Sequence, residues 1–220
     1  MLNCGLGILL VPALGVLLLI KGQGICGMLE QVFAKLPGTP AVLVCAVLLL
    51  VSSMIDVDVP SVSLEGKNLW IPQSMPVSAQ TALRAKLCMQ LILGGIPMLF
   101  AAVCAALTVP GALKLKLLIG ALPLVYTVFS ALFGLFLGVR MPLLNWTSEI
   151  APIKQGGAVA IFLFSGWGVG FAVGGAYLLI GYRLGAELYL LLWTAVFAVA
   201  SLLLLRWLNT RGSRLFAELP

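Results

Sequence analysis

Six long apolar stretches constrain this chain more than anything else in it: residues 2–20, 39–55, 87–109, 117–138, 158–180 and 188–205. A membrane-spanning helix needs about 20 largely apolar residues. The second stretch is short for that, and Pro40 leaves its start open. The continuous Leu/Val/Ala runs lack the in-out alternation of a membrane barrel. The expected fold is an all-α integral membrane protein, a bundle of six transmembrane helices forming a single domain over residues 1–220.

Composition excludes most alternatives. Hydrophobic residues make up 62% of the chain and charged residues 9%, against about a quarter charged in a soluble domain. There is too little polar surface to coat a water-exposed globule. The net charge of +6 comes from basic residues scattered singly between apolar runs, a pattern that sets orientation in a membrane and gives no footprint for nucleic acid. The absence of histidine removes the commonest acid-base catalyst and metal ligand. Gly66-Lys67 lacks both the upstream glycine and the following Ser/Thr of a phosphate loop. Cys4, Cys26, Cys45, Cys88 and Cys104 show no pair spacing and read as small hydrophobes. No cleavable signal peptide is expected. Asp56, Asp58 and Glu65 could together hold a metal, but alternating acids after an apolar run read more simply as a solvated boundary. No acid or base falls at mid-depth in the six stretches, which argues against an ion-coupled transporter or pump. The chain is therefore not expected to be an enzyme, or to bind a metal or cofactor directly.

The loops carry the remaining information. Lys and Arg number eight on the side of the N-terminus, residues 56–86, residues 139–157 and the C-terminus, and five on the other. That bias places both termini and the long loop in the cytoplasm. Trp70, Trp146 and Trp207 then fall near the inner interface, and Tyr182, Tyr189 and Trp193 near the outer one. Residues 27–36 carry Met28, Leu29, Val32, Phe33 and Leu36 at helical spacing, as in a short helix lying in the outer interface. A lid over a substrate path is the other reading of it.

Residues 61–86 form the longest polar stretch. Ser78 can cap a helix running into the third span, with Arg84 and Lys86 snorkelling to the headgroups. Before it, Gly66 permits a tight turn, and Glu65 and Lys67 offer opposite charges to a partner; a solvated loop with a headgroup-level tryptophan is the alternative. The loop at 139–157 again combines an acid, a base, an amide and a tryptophan, so the two loops read as one docking surface. Gly134 and Gly138, and Gly166, Gly170 and Gly174, recur every fourth residue and are expected to let helices pack closely. Pro12, Pro97 and Pro123 fall inside spans as possible kink sites.

Taken together, SVSLEGKNLW with QSMPVS, and NWTSEIAPIKQG some seventy residues later, resemble the permeases of bacterial ATP-binding-cassette exporters. More narrowly they resemble the large exporter permeases found mostly in Gram-positive bacteria. The resemblance extends from the opening MLNCGLG to the terminal LLRWLNTRG. It implies a multi-pass permease of the bacterial cytoplasmic membrane, docked on a separate cytoplasmic ATPase subunit that binds ATP and magnesium. Ser63, Leu64, Glu65, Gly66 and Lys67 would belong to the coupling segment, and Asn145, Trp146, Glu149, Lys154 and Gln155 to the second contact loop. Such permeases are typically more than twice this length, and the likeness is to their C-terminal half. A second permease half, or a second copy, would then complete the path within membrane lipid. The reading from another class is a non-transporting scaffold or assembly protein that binds a cytoplasmic partner through the same loops.

Overall fold

A computed structural model describes residues 2–68, 77–148, 150–154 and 156–219, and the side chains of these except residues 2–5, 67 and 154. Among them every regular element is helical: α1 (Leu2–Val32), α2 (Thr39–Ser52), α3 (Ser61–Glu65), α4 (Ala79–Thr108) and α5 (Leu113–Arg140) come first. Then follow α6 (Ile150–Lys154), α7 (Gly157–Leu179), α8 (Ala186–Trp207), a widened turn over Leu208–Gly212, and α9 (Ser213–Ala217). Ser78 caps α4 as its position implies, its Oγ accepting from Thr81 N at 3.2 Å.

Five helices, α1, α4, α5, α7 and α8, are long and apolar enough to cross a membrane, as befits a multi-pass membrane protein. The second expected span departs from that pattern. Its helix, α2, has 14 residues, about 21 Å at 1.5 Å per residue, against a hydrocarbon core of about 30 Å. It packs against α1, α4, α5, α7 and α8 and sits at the centre of the bundle. Ten of its residues are buried, so neighbouring helices cover most of it despite its short length. Gly38, at φ +77, turns the chain into α2, with Pro40 in the first turn. The proposed interfacial helix over residues 27–36 is no separate element, because α1 continues through Val32.

α2 stops partway along its neighbours. Ser53 lies against Gly166 of α7, the tenth residue of that helix and roughly 13 Å from its start. Residues 53–60 continue from α2 without a helix, buried in protein: Ile55, Asp56, Asp58 and Val59 are each 6% exposed or less. The expected solvated boundary at Asp56 and Asp58 is thus overturned. The cause is packing, since α4, α5 and α7 close over this segment where α2 gives out.

α5 is the other central element, flanked by α4 and α8 and touching α2 and α7. Its Tyr126, Phe129, Phe133 and Phe136 run along one side, meeting Phe197 and Trp207 of α8 and Phe162 of α7. Gly15 of α1 faces Ala101 of α4 and Gly22 faces Thr108, so these helices run parallel. The N-terminus, α3, α6 and α9 therefore gather at one end of the bundle. There Phe216 of α9 is buried with Val62, Leu83, Leu135 and Val139.

Candidate functional site

The two polar loops meet at this end, and α3 is the piece they share. The chain leaves the buried segment at Pro60 and turns at once: Ser61 Oγ donates to Asp58 O at 2.6 Å and Leu64 N to Pro60 O at 2.8 Å. Val62 points into the core and is fully buried. Ser63 faces the second loop and is held twice by it. Its carbonyl accepts from Trp146 Nε1 at 2.7 Å, and its hydroxyl accepts from the backbone N–H of Leu143 at 3.0 Å.

The Trp146 indole lies directly over Gly66. A Cβ at Gly66 would stand 2.8 Å from Trp146 Nε1 and 2.9 Å from Cε2. The backbone there has φ +46 and ψ −122, a conformation that suits glycine and strains other residues. Glycine is thus required twice over, for the turn and for the approach of the ring.

The third fastening is ionic. Lys86 of α4 reaches back to Glu65 Oε1 at 2.6 Å and to Ser61 O at 3.1 Å. The sequence alone places Lys86 at the headgroups and Glu65 toward a partner; in the structure each is engaged with the other. Twenty-one residues separate them, and no local spacing rule marks such a pair. The pair is three-quarters buried or more, so removing one partner costs more than the few tenths of a kcal/mol typical of exposed pairs. Lys86→Met is expected to cost about 1–2 kcal/mol of stability, and the double reversal Glu65→Lys/Lys86→Glu to recover part of it, read by denaturant unfolding in micelles.

With these bonds made, Leu64, Asn68 and Asn145 remain exposed on the outside of the clasp. Lys67 and Lys154 are described in backbone only, and Glu149, Gln155 and Trp70 lie outside the described residues. A further anchor that sequence reasoning missed is Asn209. Its Oδ1 accepts from Gln80 Nε2 at 2.8 Å and from both Nε and Nη2 of Arg84, tying the C-terminal turn to the start of α4.

The glycine ridges receive different partners. Gly166 and Gly170 of α7 lie against Ser53, Leu50 and Ala46, and Gly174 makes ordinary contact with Ala46 and Leu43. Those of α5 receive no helix. Gly134 faces the Asp58 carboxylate and Gly138 the Val59 carbonyl, so this ridge cradles the non-helical segment. Gln90 of α4 holds the same segment from another side, donating to Ile55 O at 2.6 Å.

Among the described residues no three of His, Cys, Asp and Glu come together as a metal site. What the clasp offers is rigidity: a short turn with three fastenings and an outward apolar side chain, continuous with the buried segment behind it. No family model, no curated protein and no solved structure matches this chain.

Proposed function

We propose that the chain is the membrane permease component of an ATP-driven exporter of the ATP-binding-cassette type, with ATP and magnesium held by a separate cytoplasmic ATPase subunit. The observation that carries this reading is the clasp. Residues 63–66 are bonded to α4 through Lys86 and to the second loop through Ser63, while Leu64 stays exposed. A subunit that grips Leu64 and moves can drag α4, the second loop and residues 53–60 together. Such a displacement biases a two-state bundle as alternating access requires. Glu65 then acts as a positioning residue inside the clasp, and Leu64, Lys67 and Asn145 make the contact. The loop end faces the cytoplasm of a bacterial cell, and a second copy or a second permease half completes the path.

The test is affinity purification of the tagged chain from gently solubilised native membranes, beside a Glu65→Ala/Lys67→Ala variant. An ATP-hydrolysing subunit is expected with the native chain and at least tenfold less of it with the variant. Co-purification of partners without ATP hydrolysis would instead favour a scaffold.

A further inference from the structure

Four buried side-chain atoms lack a hydrogen-bond partner among the described residues: both oxygens of Asp58, Oε2 of Glu65 and Oε1 of Gln90. All four are acceptors. Glu65 has its other oxygen on Lys86, and Gln90 has its amide nitrogen on Ile55 O. Asp58 alone has neither oxygen satisfied. It is 2% exposed, and Oδ1 lies 2.5 Å from where a Cβ of Gly134 would stand, pressed on bare α5 backbone.

Among the described side chains no free counter-charge faces it, and that of Lys67, just beyond α3, is not among those described. On its own segment the charged neighbour is another acid, Asp56. α3 brings Glu65, and α4 brings Lys86, which is bonded to Glu65 and to Ser61 O. Arg84, also on α4, is bonded to Asn209. α5 carries Arg140, six residues beyond Gly134, over the Phe136 ring, and Lys114 and Lys116 at its other end. α7 contains no Asp, Glu, Lys or Arg, and the charges of α1, Lys21 and Glu30, lie toward the far end. α6 carries Lys154, whose side chain is not among those described.

An ionised carboxylate deprived of both water and donors is costly, whereas a neutral carboxyl carries its own donor.

We propose that Asp58 is a proton-binding site that latches residues 53–60 to α5: with its proton the segment stays seated on Gly134 and Gly138, and loss of that proton to solvent releases it. The site stands apart from the exporter reading and holds whether or not an ATPase docks. Asp56 lines a groove of about 420 Å³ between α1 and α7, with Leu6, Met54, Phe164 and Trp167, which gives the departing proton an outlet two residues away. The sign follows from linkage. The seated state binds the proton more tightly than the released one, so the latch is complete below the ordinary carboxyl range. It weakens as pH rises through the range in which the seated carboxyl gives up its proton, and it levels off above that range.

The experiment uses the full chain in lipid nanodiscs and two readouts. Infrared spectroscopy at neutral pH is expected to show a protonated-carboxyl band that shifts in heavy water and is missing from Asp58→Asn. Hydrogen exchange of residues 53–60, corrected for intrinsic rates, is expected to lose protection about tenfold per pH unit within the window. Asp58→Asn, a permanent mimic of the neutral form, is expected to stay flat. A native chain with an ionised Asp58 at neutral pH, or with protection independent of pH between about 4 and 9, would overturn the proposal, and either result stands without the variant. Loss of the pH dependence when sodium replaces potassium would also overturn it, in favour of a metal cation as the occupant.

Discussion

Gly166→Ala is expected to destabilise the bundle by about 1–3 kcal/mol, while Gly168→Ala, two residues away on the same helix, leaves it unchanged or up to about 1 kcal/mol more stable. The contrast isolates packing from helix propensity. A Cβ at Gly166 would collide with Ser53 Cβ and lie 3.0 Å from its Oγ, with the Tyr126 hydroxyl at 3.3 Å. At Gly168 it would meet nothing within 4 Å. Ser53 cannot swing aside cheaply. It sits where α2 ends, its hydroxyl donating to Leu50 O at 2.7 Å, and is 1% exposed. Lipid gives helices no hydrophobic reward for meeting, so close backbone approach is what such ridges supply. Reversible unfolding of the two variants in mixed micelles reads the difference directly, and equal losses would mean that α7 does not pack on the break in α2.

Gly66→Ala is expected to spare the bundle and abolish the clasp. The residue sits at φ +46 and ψ −122, where a side chain costs on the order of 1–3 kcal/mol in backbone strain. The added methyl would also press on the Trp146 indole. The ring must lift, and with it goes the bond from Nε1 to Ser63 O. Trp146 fluorescence is expected to change, unfolding stability to fall by no more than those few kcal/mol, and recovery of an ATP-hydrolysing partner to drop at least tenfold. Trp146→Phe keeps a ring over Gly66 but removes the donor. It is expected to fall between native and Gly66→Ala in partner recovery. A Gly66→Ala variant that recovers its partner normally would separate the turn from partner binding.

Much of the fold could be read from residue order alone, because it rests on periodicity and caps. The long apolar runs and the Ser78 cap are of this kind. The break in the second span was half visible in its short length and in Asp56, Asp58 and Pro60. Its meaning was hidden, since whether an acid after an apolar run meets water depends on which helices close over it. The α5 glycines show the same limit: their spacing implies a close neighbour, and the spacing would look the same for a helix or for an extended chain. At the candidate site, Gly66 stood out as a turn and the two tryptophan-bearing loops as a pair. The bonds that join them, Trp146 to Ser63 and Lys86 to Glu65, connect residues far apart in sequence, and only the packing of α3 on α4 and α5 brings them together.

Under the proposed function, the exposed outside of the α3 clasp receives an ATPase subunit. The most direct measurement places a photo-crosslinking residue at Leu64, the exposed apolar side chain of that turn, in the full chain within native membranes. The expected result is an adduct with an ATP-binding subunit whose yield changes with added ATP and falls in a Gly66→Ala background. Adducts with lipid alone, or with a protein that neither binds nor hydrolyses ATP, would contradict it.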